Sequence, residues 1–199
     1  NNPFTKNTTW MVLMEIDVNI GPISLKESVE QILYDFILNN KIVEVFIANT
    51  LNQRDEFWKI RELIPAANRK KGSICSNDIS VPVETIPEFI TKLDRSISFL
   101  SKDIIVNCFG HVGDGNLHYN IFPLSEKNRV NLENKRLQLL NIVNELVSKY
   151  SGSISAEHGI GRLKVSELNK FEDPGKLHMM RLIKSGVDPK NLLNPGVIF

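Results

Sequence analysis

The sequence has 199 residues, 42% of them hydrophobic and 24% charged, with a formal net charge of +1. That describes an ordinary globular chain, long enough to bury a core. It gives no electrostatic case for binding nucleic acid or an acidic membrane surface, and no apolar run approaches the ~20 residues of a membrane-spanning helix. The two cysteines, Cys75 and Cys108, are far apart and form no CxxC pair. This argues against a disulfide framework or a thiolate zinc site and fits a reducing compartment. A cytoplasmic chain, or one peripheral at the inner face of a membrane, is therefore expected. The opening Asn1-Asn2-Pro3 is polar and does not read as a secretory leader, and a start without Met reads as a piece of something longer.

Trp10 to Val18 is apolar and β-branched and runs into Gly21-Pro22, which predicts a strand. Ser24-Leu25-Lys26-Glu27 reads as a capping box. Leu25, Val29, Ile32, Leu33, Phe36 and Ile37 follow at helical spacing, and Asn39-Asn40 ends the helix. Val43 to Ile47 predicts the next strand. A helix is expected from about Asn52 to Ile64, limited by Pro65. The longest basic run, Arg69-Lys70-Lys71, reads as a solvated loop. Ile79 to Val83 predicts a short strand. Thr85-Ile86-Pro87-Glu88 is a second capping box, whose helix buries Phe89, Ile90, Leu93 and Ile97.

Ile104 to Phe109 and Leu117 to Phe122 predict a pair of strands. A long helix is expected over Glu126 to Tyr150, with Val130, Leu137, Leu140, Val143, Leu146 and Val147 facing inward. A Gly/Ser-rich stretch follows from Ser151 to Gly161. A last helix near Lys176 to Ser185 ends at Gly186, with Asp188-Pro189 as its stop. The hairpin forces antiparallel pairing, so the expected class is α+β, a mostly antiparallel sheet with helices packed on one face. Nothing matches GxGxxG or GxxxxGK[ST], so no nucleotide-phosphate loop is recognisable.

The most informative segment is Phe109-Gly110-His111-Val112-Gly113-Asp114-Gly115-Asn116-Leu117-His118-Tyr119-Asn120. Asp114-Gly115 suits a two-residue type I′ turn. With that turn, Gly113 faces Asn116, Val112 faces Leu117, and His111 faces His118. Opposed residues point to one side of the sheet with Cβ atoms ~4.5–5.5 Å apart, so the two imidazoles can converge on one ion. Asn120 falls on the same face, within reach of whatever that ion binds. Two histidines on a solvated strand face are the plainer alternative, and the residues alone do not choose between the two. Ser153 to Arg162 is a second cluster in a glycine-bounded connection. There Glu157 offers a hard oxygen ligand that completes a His₂Glu set, and His158, pointing elsewhere, is free to act as a general base. Against this stands a plain helix N-terminus with Glu157 near its dipole and His158 exposed. His178 reads as structural or surface.

These segments resemble the C-terminal domain of FAD-linked oxidases of the D-lactate, glycolate and D-2-hydroxyglutarate dehydrogenase type. The resemblance rests on Gly110 through His118, on Glu157-His158-Gly159-Ile160-Gly161, and on the closing Asp188-Pro189 through Asn194-Pro195-Gly196. Arg61, within Trp58-Lys59-Ile60-Arg61-Glu62, is similar to an arginine of that family. The resemblance implies that residues 1–199 form a ferredoxin-like substrate- and metal-binding cap domain, with an FAD-binding domain upstream. It also implies a divalent metal, zinc by preference, on His111, His118 and Glu157, His158 as base, Arg61 and Asn120 on the substrate carboxylate end, and Asn194 at the cofactor. The implied partners are a small 2-hydroxy acid and an unidentified electron acceptor, with a homodimer open and no nucleic acid. Hydroxyglutarate-type members carry a threonine and a lysine where this chain has Pro65 and Ser76, so a monocarboxylic substrate such as D-lactate stands equally with D-2-hydroxyglutarate. Two other function classes compete: a metal-dependent hydrolase using the His₂Glu site, and a binding module without catalysis.

Overall fold

The structure, a computed structural model, describes residues 4–6, 8–16 and 25–199. The chain divides into two compact units, Asn1–Lys70 and Lys71–Phe199.

In the first unit, helix α1 spans Leu25–Leu38. Ser24 of the expected capping box lies outside the described residues. The C-terminal end is built as expected. Asn40 takes a left-handed φ of 54°, its amide reaches the Ile37 carbonyl, and the Lys41 amide reaches back to Phe36 at 2.8 Å. That is the hydrogen-bond pair of a Schellman motif. Helix α2 spans Leu51–Lys71 and continues through Pro65 instead of stopping at Ile64. A proline removes one ladder donor and disfavours helix before it, but it bends a helix more readily than it ends one with good formers on both sides. Ala66 and Ala67 supply such formers. Arg69-Lys70-Lys71 is thus the exposed last turn of α2, not a loop, where positive charge suits the helix C-terminus. The expected strand at 10–18 forms no ladder over its described part, 10–16, and Asp17 and Val18 lie outside the described residues. Val43 to Ile47 likewise forms none. β-branched composition favours extended backbone, but only a partner makes a strand.

The second unit has the element order β-α-β-β-α and three further helices. Strand β1 is Cys75–Ser80, helix α3 Ile86–Leu100, β2 Ile104–His111 and β3 Asn116–Pro123. After a 3-10 turn at Glu126–Asn128 come α4 (Arg129–Asn134), α5 (Arg136–Lys149), α6 (Val165–Phe171) and α7 (Pro174–Val187). The sheet is antiparallel in the order β1-β3-β2. Ser153 adds one antiparallel bridge to Ser80, on the free side of β1. This is where the closing strand of a ferredoxin-like β-α-β-β-α-β unit would lie. The class is α+β, as expected.

Alternation along the strands gives the sheet two unlike faces. Cys75 and Ile79 of β1 and Leu117, Tyr119 and Ile121 of β3 share one face. They pack with Phe89, Leu93 and Ile97 of α3 and Leu139, Val143 and Val147 of α5. Each such side chain contributes about 1.5–3 kcal/mol by leaving water. The expected buried stripe of α3 is fully recovered. That of the long helix is not. The helix breaks at Lys135, and Val130 and Leu137 are exposed while Leu132 and Leu139 are buried. Two residues apart is about 200° around a helix, so Leu137 and Leu139 cannot both face the sheet. Leu139 is in step with Val143 and Val147. Burial raises the thiol of Cys75 to about 11 and that of Cys108 to about 12, and both are free cysteines.

The helix caps give a small-effect prediction. Thr85 does not form its capping box. A 3-10 turn at Val83–Thr85 brings both its amide and its hydroxyl onto the Pro82 carbonyl, and Glu88 pairs with Lys92. Helix α7 starts two residues earlier than expected, because Asp173 accepts the Lys176 amide at 2.8 Å and Pro174 sits in the first turn. It also runs past Gly186 to Val187. Thermal melts should therefore show Asp173→Ala costing about 1 kcal/mol and Thr85→Ala clearly less. Equal costs would contradict this account of the two caps.

Candidate metal centre

The second face of the sheet is polar. It carries Ser76 and Asp78 from β1, Phe109 and His111 from β2, and Asn116, His118 and Asn120 from β3. The hairpin joining β2 and β3 is longer than a two-residue turn. Val112–Asp114 form a 3-10 turn, and Gly115 closes it at φ 75°. The Asp114 carboxylate accepts the Asn116 amide at 3.0 Å, and this side-chain turn favours the longer loop. The register moves accordingly. His111 pairs with Asn116, Gly110 with Leu117 and Phe109 with His118, in place of the expected His111–His118 pair. The shift preserves parity, so both histidines still share a face. They are diagonal neighbours with ring centroids 6.5 Å apart.

Glu157 spans them. Its carboxylate lies 3.7 Å from His111 Nδ1 and 3.4 Å from His118 Nε2. Two ligands bound at ~2.0–2.1 Å to a tetrahedral zinc stand about 3.4 Å apart, so each distance by itself suits a pair of ligands, with the two histidines meeting different oxygens of Glu157. Two imidazoles and a carboxylate are also the donor types of catalytic zinc. Burial, the main cause, pushes His118 below the ordinary histidine range against the pull of Asp78 and Glu157. That favours the neutral imidazole a metal requires.

Asp78 was not singled out from the sequence. Strand β1 starts four residues earlier than the expected Ile79 to Val83, and it sets Asp78 directly across from His118. One oxygen of Asp78, one nitrogen of His118 and one oxygen of Glu157 lie within 4.8 Å of one another. A buried aspartate in a strand is the signal that could have found it, but its burial depends on a long-range strand pairing. The Asp78 carboxyl is only 4% exposed. Burial alone would raise its pKa, yet hydrogen bonds from the His158 and Glu157 amides and the Asn116 side chain bring it below the usual range.

Glu157 and His158 lie in the connection before α6, well ahead of any helix N-terminus. The His158 ring does not point elsewhere. It stacks toward His118 at 5.9 Å, with Nδ1 3.5 Å from Asp78 and the side chain 69% exposed. Asn120 is buried on the His118 face, its amide nitrogen directed to the backbone oxygens of His118 and Asn107. Asn194 is exposed with a φ of 47° in the C-terminal loop, which Asp188 organises by accepting the Leu192 and Leu193 amides. Lys184 and these amides hold the Asp188 carboxyl down at about 2. Arg61 lies on α2, in the first unit.

Among the described residues, the group whose ligand atoms lie together closely enough to hold an ion is Asp78, His118 and Glu157 on the polar face of the sheet, with His111 beside Glu157. Residues 1–198 match the family described as FAD linked oxidases, C-terminal domain, and the chain belongs to that family. It is 35% identical over 195 residues to "D-2-hydroxyglutarate dehydrogenase, mitochondrial" of Arabidopsis thaliana, covering 98% of this chain and 33% of that protein. It is 32% identical over 200 residues to "D-2-hydroxyglutarate dehydrogenase" of Stutzerimonas stutzeri, covering 99% and 42%. The Danio rerio protein "D-2-hydroxyglutarate dehydrogenase, mitochondrial" is 30% identical over 198 residues, covering 98% and 35%. The chain thus spans between a third and about two fifths of the length of these relatives. The expected cytoplasmic location is corrected by the plant and fish relatives, which are mitochondrial by name. Unpaired thiols do not identify the compartment. Among the described residues no helix is long and apolar enough to cross a membrane.

Proposed function

We propose that this chain is the substrate- and metal-binding part of a flavin-dependent dehydrogenase that oxidises a D-2-hydroxy acid to the 2-oxo acid. The observation that supports the reading is the Glu157 carboxylate lying 3.7 Å from His111 and 3.4 Å from His118 in a member of an FAD-linked oxidase family. The FAD-binding domain is proposed to lie upstream, in keeping with the greater length of the relatives. His111, His118 and Glu157 would hold a divalent ion, zinc by donor type. Such an ion would supply polarisation of the hydroxyl and carboxylate oxygens and a lower hydroxyl pKa, and a flavin would supply the hydride acceptor.

The chain's own side chains would then perform binding and proton transfer. His158, exposed and beside His118, takes the hydroxyl proton on a ring nitrogen. Arg61 is the proposed partner of a substrate carboxylate through a bidentate pair, and Asn120, on the His118 face, is a proposed substrate contact. Asn194 contributes at the cofactor. Ser76 stands opposite Asn120 across the sheet and brings no positive charge for a distal carboxylate. D-lactate and glycolate are therefore proposed beside D-2-hydroxyglutarate, the acid in the relatives' names.

The test is oxidation of these three acids by the full-length protein with a dye as acceptor, scored as kcat/KM. Flavin bleaching and turnover with at least one acid are expected. A flavin-free protein that hydrolyses esters or peptides would replace this reading with a metal hydrolase.

A further inference from the structure

Asp78 has no part in the proposed chemistry, yet its carboxylate meets Glu157, His158 and His118, which do. Its Oδ1 accepts the Asn116 side-chain amide at 2.9 Å. Its Oδ2 accepts two successive backbone amides, Glu157 at 2.8 Å and His158 at 2.9 Å. Its own carbonyl accepts the Ala156 amide at 3.3 Å. Nearly eighty residues of sequence separate Asp78 from that loop, so the carboxylate ties a distant connection to the sheet. It also lies 3.6 Å from His118 Nδ1, while His118 Nε2 faces Glu157.

We propose that Asp78 is a positioning residue for the metal centre. It pins the Glu157–His158 backbone through paired amides and holds the His118 proton on Nδ1, leaving Nε2 for the ion. The inference rests on the metal-site reading above and assigns Asp78 a role behind the ligands rather than among them. Three hydrogen bonds already fill most of its acceptor positions. The remaining Oδ1 capacity points to His118, the partner that fixes tautomer and ring orientation in carboxylate–histidine–metal arrangements. Asn116 completes the support. It is 2% exposed, and its amide nitrogen holds Asp78 and the Ile79 carbonyl together.

The test uses the full-length protein stripped of metal, and Zn²⁺ as the probe. Asp78→Asn keeps the shape and one accepting oxygen but loses the charge. It is expected to melt cooperatively and to bind Zn²⁺ about 10–100-fold more weakly than wild type, measured by competition with a chelating dye. The Glu157 and His158 amides should exchange faster with solvent, while those of Tyr119 and Ile121 in the same sheet do not. Unchanged Zn²⁺ affinity in a folded variant would overturn the proposal. A loss as deep as that of His118→Ala would overturn it too, in favour of direct ligation by Asp78. Should Asp78→Asn fail to fold, wild type decides. Its Glu157 and His158 amides must be protected without metal, and free exchange at both rejects the anchoring. No readout depends on turnover, so an inactive enzyme would count against the dehydrogenase reading and leave the role of Asp78 standing.

Discussion

His118→Ala in the full-length protein is expected, on the proposed function, to lower kcat/KM for a 2-hydroxy acid by about 10²–10³-fold while the flavin absorbance stays intact. His118 is the better buried of the two hairpin histidines, 14% exposed against 45% for His111, and its two nitrogens face two different carboxylates. Removing it takes away one proposed imidazole ligand and leaves Asp78 and Glu157 without the group between them. A metal that polarises a substrate oxygen supplies several kcal/mol of barrier lowering, and each 1.36 kcal/mol is a factor of ten in rate. Glu157→Ala should behave alike, because its carboxylate is what joins the two histidines. Elemental analysis of both variants should show the metal gone in step with activity. Full turnover in a metal-free variant would end the metal-assisted reading. A loss of activity with metal retained would move the function of these residues elsewhere.

How much of this could be read from the residues depended on the range of the forces involved. The hairpin histidines were legible because a turn and an alternation place them, and both are local. Their register was misjudged by the length of one turn. Asp-Gly favours a two-residue connection, but the Asp114 side chain bonds the Asn116 amide and a four-residue loop results. The shared face survived since parity did. Glu157 stood as one of two open readings of its loop and was joined to the pair only through resemblance, and Asp78 was not legible at all. Both depend on β1 lying beside β3 and on the Ser80–Ser153 bridge that draws the loop in, pairings with no local signature. Apolar periodicity found α3 in full, where its stripe has one solution. It misjudged the long helix, where Leu137 and Leu139 compete for one face and only the packed core decides.

Gly115→Ala is expected to destabilise the second unit by about 3–5 kcal/mol and to weaken metal binding with it. A left-handed residue other than glycine costs roughly 1–2 kcal/mol, and Gly115 sits at φ 75°. The close approach costs more. A Cβ there would fall 1.9 Å from the Val81 carbonyl oxygen, which is backbone and cannot swing aside. Forced overpacking typically adds about 1–3 kcal/mol. Relief by lifting the loop would break the 3.1 Å bond from the Val81 amide to the Gly115 carbonyl, worth about 1 kcal/mol more. It would also carry His111 away from Glu157, because the same loop ends β2 and begins β3. Gly113→Ala is the control. It lies in the same loop, has no positive φ, and an added Cβ meets nothing within 4 Å. Its melting temperature and Zn²⁺ affinity should match wild type. If both alanine variants fall equally, the loop tolerates no side chain for reasons other than the contact with Val81. If neither falls, the hairpin is free to repack, and the histidines are held by something other than this turn.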